Sequence, residues 1–314
     1  MQIESITYRG HLATRISNGT VQLIVLTDVG PRILYYGFAG GRNEFHEFDA
    51  QLRQPQKKWA SYGGARLWVA PETESVTYFP DNVPVKVERR GEAVRFLAPV
   101  ELKPRPTHLQ KAIEIRLAPT GTEVTLTFTI HNRGRQAVEL APWTISVMAP
   151  GGHGILPMPP RGPHGPKNFL PNGALTLWSY TDFSDRRWGL GEKYIELRQQ
   201  RKPRGRYASQ KVGARNAEGW GAYFRKGHLY VKRTRFDARA QYPDLGCNFE
   251  IYTDPGFLEV ETLGPLRRLA AGAAATHAER WWLFQDVPGG HGDAWVEKEV
   301  RPRIAQTITT RVRR

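Results

Sequence analysis

Val124-Thr125-Leu126-Thr127-Phe128-Thr129-Ile130 alternates apolar residues and threonines without a break. A period of two with β-branched residues specifies a strand with one buried face. Asn132-Arg133-Gly134-Arg135 follows and reads as a hairpin turn. Val138–Met148 is then the return strand, and Pro142, lacking an N–H, belongs there at an edge or a bulge. Outward from this pair, Val21–Leu26 and Tyr194–Arg198 read as further strands. Residues 221–224 and 228–231 flank Arg225-Lys226-Gly227 as a tight hairpin, and Trp281-Trp282-Leu283-Phe284 reads as a core strand. Helix signals are few. Residues 266–277 are alanine-rich and predict a helix, with Gly272 interrupting it. Strands at short spacing from Val21 to Leu283 predict an all-β chain, a sandwich or barrel, in one domain over residues 1–314. Residues 151–173 hold six glycines and six prolines. The strand pattern is alike on both sides of them, so they predict a long loop over one sheet rather than a linker.

With 314 residues and 40% hydrophobic content, the chain is long and apolar enough for a sizeable core. A single cysteine, Cys247, excludes an internal disulfide and a multi-cysteine zinc site, and no cofactor or metal site is expected. No apolar run approaches the ~18 residues of a membrane span. The N-terminus lacks a basic stretch followed by an apolar one, so a soluble cytoplasmic protein is expected. Lysine and arginine number 45 against 30 acids, a formal +15. Residues 196–240 concentrate this charge, with 13 basic residues (such as Arg201, Lys202, Arg204 and Arg206) against Glu196, Glu218 and Asp237. Basic residues also recur elsewhere, as at Arg311, Arg313 and Arg314. A solvated surface is the first reading, and a patch for an anionic sugar or polymer is the second. Nucleic acid ranks last, because no helix-turn-helix, RNP or zinc-finger pattern accompanies the charge.

Two runs near the C-terminus carry the densest chemistry. Cys247-Asn248-Phe249-Glu250-Ile251-Tyr252-Thr253 leads through the turn Asp254-Pro255-Gly256 into residues 257–265. Alternation places Asn248, Glu250 and Tyr252 on one face, and Glu259, Glu261 and Leu263 on one face. Buried carboxylates are costly unless partnered or employed, which makes this the candidate site. Two plainer readings stay open: a solvated, polar-out strand face, and ordinary salt bridging to arginine.

A family resemblance runs through the chain. Asn18-Gly19-Thr20 enters Val21-Gln22-Leu23-Ile24-Val25, then Asp28-Val29-Gly30-Pro31-Arg32-Ile33, then Gly40-Gly41-Arg42-Asn43-Glu44-Phe45. This order resembles the opening of galactose mutarotase-like (aldose 1-epimerase-like) domains. Residues 126–132 with Val138-Glu139-Leu140-Ala141-Pro142-Trp143 resemble their mid-chain strands, and residues 258–262 resemble their late strand carrying a glutamate. Gly63-Gly64-Ala65-Arg66-Leu67-Trp68-Val69-Ala70-Pro71-Glu72 and Glu261-Thr262-Leu263-Gly264-Pro265 are similar to a bacterial branch of that superfamily. The resemblance implies a β-supersandwich of two large, mostly antiparallel sheets and a sugar ligand. Aldose 1-epimerases use a glutamate base at the anomeric hydroxyl and a histidine acid at the ring oxygen. The resemblance puts the base at Glu261, with Glu259 second. The histidine position falls near Trp143, whose indole does not titrate usefully. His153, ten residues on, is the substitute acid unless it merely caps a loop, and His131 reads as an exposed strand residue.

The nine tryptophans fit a sugar site, but filling a large sandwich core is the first reading for any single one. Arg66 is the candidate substrate-facing cation; its rival role is an ion pair with Glu72 or Glu261. The expected site therefore has Glu261 in a concave pocket with Arg66 and Trp68 or Trp143. Trp143 serves there as stacking platform, and Glu72, Asn248 and Glu250 are further binding groups. Three functions remain: a sugar epimerase, a non-catalytic sugar-binding module, and a polyanion or nucleic-acid binder.

Overall fold

The computed structural model describes residues 1–54 and 56–308; Arg311, Arg313 and Arg314 lie outside them. Val124–Asn132 is a strand that alternates buried and half-buried residues along its whole length, with Leu126, Phe128 and Ile130 fully buried. Among the described residues two antiparallel sheets of eleven and ten strands are built. The first runs Gln2–Tyr8, His11–Ser17, Val21–Leu26, Arg32–Phe38, Gly64–Ala70, Val138–Met148, Leu258–Leu263, Phe249–Thr253, Gln210–Ala214, Leu175–Leu177, with Arg267–Leu269 also on Val138–Met148. The second runs Trp188–Leu190, Tyr194–Arg198, His153–Pro157, Trp220–Arg225, His228–Thr234, Ala274–Phe284, Val124–Asn132, Leu109–Leu117, Ala93–Leu97, Lys86–Arg90. Residues of both sheets, such as Leu67, Val69 and Val260 from one and Phe128, Ile130 and Trp281 from the other, form one continuous core between them. No helix among the described residues is long and apolar enough to cross a membrane.

Three sequence expectations change, one of them the long loop of residues 151–173, in which His153–Pro157 is a strand of the ten-stranded sheet. Val124–Asn132 and Val138–Met148 do not pair; they belong to different sheets, so residues 132–137 are a crossover rather than a hairpin. The Asn132 amide fixes that crossover by donating to the carbonyls of Gln136, Leu269 and Ala270. The helix expected over residues 266–277 is instead Arg267–Leu269, a turn with Gly272 at φ +79°, and the start of Ala274–Phe284. Pro142 lies in a central strand, paired with Val69 on one side. On its other side the partner changes from Arg267–Leu269 to Leu258–Leu263, and Gly264 N–H donates to the Pro142 carbonyl. The missing N–H falls in that break, as a bulge position requires. Residues 226–227 form the expected tight turn, both in the left-handed region.

A helical run absent from the sequence reading comprises Asp293–Trp295, Val296–Val300 and Arg301–Gln306. Its Val296, Val300 and Ile304 pack on Trp220, Phe224 and Trp282. It covers part of the outer face of the ten-stranded sheet; on the outer face of the other sheet Leu52, from the short helix Asp49–Leu52, packs with Ala13, Ile24 and Leu34.

The core is not wholly apolar. Between the sheets Glu279, fully buried, accepts from the Thr144 and Thr262 hydroxyls and from Trp281 Nε1 at 2.7 Å. Lys232 Nζ, also fully buried, sits 3.2 Å away. The Thr262 hydroxyl spends its proton on Glu279, so at 2.7 Å it accepts from His277 Nε2–H. Burial pushes the His277 imidazole down to about 4. Its folded value lies below the ~6.5 of the unfolded chain, so its stabilising contribution is present above pH ~6.5 and is lost as pH falls toward 4. We expect this histidine to cost about 1.4 kcal/mol per pH unit in that window. Urea titrations at stepped pH check it: His277→Gln should flatten the acid limb of the stability profile, and an unchanged limb would refute the assignment.

Candidate functional site

Gly63 and Gly64 start the site. Both are in the left-handed region, and a Cβ there would lie 2.1 Å from the His46 carbonyl oxygen and 2.3 Å from that of Ile33. Only glycine lets Gly64–Ala70 begin so close to its neighbours. From there alternation sends Ala65, Leu67 and Val69 into the inter-sheet core, and Arg66 and Trp68 to the outer face. Register extends that face. Arg66 is level with Ile145 and Glu261, Glu261 with Glu250, Glu259 with Tyr252, and Tyr252 with Lys211. Glu261, Arg66, Trp68 and Trp143 thus lie on one face of the sheet.

The electrostatics divide this face into floor and rim. On the floor Lys211, buried, places Nζ 2.6 Å from Glu250 Oε2 and 3.0 Å from Glu261 Oε2. The ammonium lies 4.8 Å and 4.6 Å from the ring centres of Trp143 and Trp178, and Trp143 Nε1 donates to Glu261 Oε2 at 2.8 Å. The Cys247 thiol donates to Glu250 Oε1. Burial opposes the Lys211 charge, but Glu250 and Glu261 together hold its pKa well above the usual value. Burial also pushes the Glu250 carboxyl well up; Lys211 opposes, and Glu261 and Asp244 add to the rise. One cation serving two buried carboxylates accounts for both directions.

Arg66, also buried, donates to the Ser61 carbonyl and hydroxyl, with its guanidinium 4.9 Å from the Trp59 ring and 4.4 Å from Trp68. Burial pushes its pKa down to about 10, with Glu259 pulling it back up. The rival ion pairs do not form: Glu72, exposed at the rim, takes the Tyr78 hydroxyl, and Glu261 takes Lys211. The carboxylate that reaches the surface of this face is Glu259, half-buried. Burial, then Glu261, push it up to about 8, against the pull of Arg66. Around the floor stand half-buried aromatic rings, among them Trp59, Tyr78, Trp178, Tyr180, Tyr252 and Phe257. Among the described residues, three buried polar atoms on this face have no hydrogen-bond partner: Arg66 Nε, Trp68 Nε1 and Glu261 Oε1.

Several expected roles move. Glu261 and Glu250 are fully buried, so they form the floor rather than line an open pocket, and neither is on a solvated strand face. Trp143 is buried and packs edge-on against Trp68, whereas Trp59 and Trp178 are half-buried and are the rings with free area. The Asn248 side chain bonds the main chain of Asn216 at 2.7 Å and 3.1 Å and holds that loop. His153 is not at a loop start. It lies in His153–Pro157 of the ten-stranded sheet, against Phe224 and Trp295, 3.2 Å from Glu196. Its neighbour Gly154 faces the inter-sheet core, toward Ile251 and Leu258, so His153 points out on the far side of the molecule from Glu261. It cannot serve as that carboxylate's acid partner. A histidine near the site is His46, whose ring lies 6.1 Å from Phe257. Lys211 was missed by sequence reading: Gln210–Ala214 is short, and a lysine followed by Val212-Gly213 carries no motif.

No protein-family model and no curated protein matches the sequence. Solved structures do. A candidate aldose 1-epimerase from Klebsiella pneumoniae aligns with TM-score 0.60 and 14% identity over 95% of this chain and 84% of its own. A galactose mutarotase-like protein from Lactobacillus casei gives 0.58 and 14%, over 87% and 100%. A candidate aldose 1-epimerase from Escherichia coli K12 gives 0.54 and 13%, over 86% and 98%. At these identities the likeness is one of fold. The chain has the galactose mutarotase-like fold, a β-supersandwich of two large antiparallel sheets.

Proposed function

We propose that the outer face of the eleven-stranded sheet binds a carbohydrate. The observation that carries this is the ring of half-buried aromatics around a floor with three unpartnered polar atoms. Flat rings offer area to the C–H faces of a sugar, and the Arg66, Trp68 and Glu261 atoms buried beneath them become available to its hydroxyls only as those rings part. Leaving such atoms unpaired costs about 1–3 kcal/mol each, which a bound hydroxyl would offset. Glu259 is the accessible carboxyl beside them.

The aldose 1-epimerase reading is the second. It is favoured by Glu259, a carboxyl poised near 8 on this face, with Tyr252 level with it on the next strand. Glu261, fully buried and held by Lys211 and the Trp143 N–H, supports binding rather than proton abstraction. Calorimetric titration with mono- and oligosaccharides tests the first reading, and polarimetry of aldose anomers tests the second. Because Glu259 ionises near 8, affinity for the sugar should change between about pH 6 and pH 9. Glu259→Gln should abolish that pH dependence and weaken binding by roughly tenfold, the loss of one charge-assisted hydrogen bond. Sugar binding by Glu259→Gln with wild-type affinity and wild-type pH profile would place the ligand elsewhere. Mutarotation of wild type at the spontaneous rate would leave the binding reading and remove the enzymatic one.

A further inference from the structure

The loop between Tyr194–Arg198 and Gln210–Ala214 stands at one edge of this site. Gln199 anchors its start by donating to the carbonyls of Asp254 and Pro255, at the tip of the hairpin that carries Glu259. Ser209 anchors its end through its hydroxyl, 3.0 Å from that of the rim residue Tyr252. Between the anchors Arg201, Lys202, Arg204 and Arg206 are exposed. Tyr207 is exposed as well, its ring 5.3 Å from the Arg206 guanidinium. None of the four cations meets an acidic side chain among the described residues. The acids nearest the loop are already committed. Asp185, which packs under Gly205, is paired with Arg187 at 2.8 Å, and Asp254 accepts the Gly256 and Phe257 N–H groups of its own turn. Burial lowers the His46 pKa, and the Arg201 charge lowers it slightly further, so Arg201 lies near this side of the site.

Four like charges within six residues repel one another and stay spread, so they suit a string of acid groups better than a single one. Guanidinium forks match carboxylate and sulfate geometry. We propose that the ligand of this face is an acidic oligosaccharide, with one ring seated among the site aromatics and the following acidic units lying along residues 201–207. This rests on the carbohydrate reading above and adds its charge and its direction.

The test titrates the full chain with a neutral oligosaccharide, an oligouronate and a sulfated oligosaccharide of equal length, at low and high salt. It is repeated on the combined variant Arg201→Ser, Lys202→Ser, Arg204→Ser, Arg206→Ser and on Glu259→Gln. The changes in the loop variant are all exposed, so its fold should persist. The acidic oligomers should bind wild type at least about tenfold more tightly than the neutral one, each exposed pairing adding a fraction of a kcal/mol. That advantage should vanish in the loop variant and shrink at high salt, while neutral sugar still binds the loop variant. The preferred acidic oligomer tells carboxylate from sulfate. Equal binding of neutral and acidic oligomers overturns the proposal and leaves the carbohydrate reading intact. Acidic binding that ignores Glu259→Gln, or is outdone by single-stranded nucleic acid, overturns it by detaching the charge from the site. Binding of no sugar overturns both.

Discussion

Replacing Lys211 by methionine should destabilise the protein by about 3–5 kcal/mol at neutral pH, the cost of breaking a buried charge cluster by removing one partner. Methionine nearly matches the lysine stem in volume, so the loss is electrostatic rather than a cavity. It leaves Glu250 and Glu261, both fully buried, facing each other across the strand pair without a cation. Like charges in that register repel, and each is desolvated. The two carboxyls can escape only by taking up protons. Their folded pKa values then lie above the unfolded ~4.3, so the variant is most stable below that value and loses stability as pH rises. Wild type, in which burial already raises the Glu250 and Glu259 carboxyls but Lys211 opposes the rise, should show the same slope less steeply. Denaturant unfolding at stepped pH measures it, and Lys211→Met combined with Glu250→Gln and Glu261→Gln should recover most of the loss. A single variant as stable as wild type at pH 7 would mean that the three groups are not coupled as drawn. Sugar binding by Lys211→Met should fall even where the fold holds, because Trp143 and Glu261 lose the ammonium that fixes both.

The fold was legible wherever burial and period agreed. The alternation of Val124–Asn132 is realised residue by residue, because threonine on the outer face never competes for the core. Ala274–Phe284 shows how the same rule can be hidden. Its buried face carries Ala275, His277, Glu279, Trp281 and Leu283, so two polar residues stand where the period demands apolar ones. With alanines before them, the segment reads as helical although its core-facing residues recur every second position. The crossover after Asn132 was out of reach for another reason: a turn sequence states that the chain reverses, not whether the strands pair or part into two sheets. At the site, strand alternation correctly put Glu250 and Tyr252 on one face and Glu259 and Glu261 on one face. Which carboxylate is buried and which reaches the rim depends on Lys211, Trp143 and Trp178, which come from other parts of the chain. That choice moves the accessible carboxyl from Glu261 to Glu259 and could not be read locally.

The second large effect lies behind the site, on the other face of the same strands. Thr262 follows Glu261 and points inward to Glu279, so the inter-sheet network braces the strand that carries the outer-face acids. Burial opposes the Glu279 charge, but Lys232, His277 and the two threonine hydroxyls hold its carboxyl below the usual range. Glu279→Gln keeps the shape and removes the only carboxylate within 4 Å of Lys232 among the described residues. Lys232 Nζ is then left with the Val260 carbonyl at 3.2 Å and no counter-charge in a fully buried position. A loss of about 3–5 kcal/mol is expected at pH 7. Burial already lowers the Lys232 pKa in the wild type, and without Glu279 it should fall further. A lysine whose folded pKa lies below its unfolded ~10.4 loses stability as pH falls from there toward the folded value. The variant should therefore recover toward wild type as pH is raised to about 9.5, where a neutral amine can be tolerated. Glu279→Gln with Lys232→Met should be more stable at pH 7 than Glu279→Gln alone, since a buried pair replaced by apolar groups is often nearly neutral. A coupling energy near zero in that double-mutant cycle would show that Lys232 is held by packing and the Val260 carbonyl alone, and that the carboxylate contributes nothing to bracing the strand.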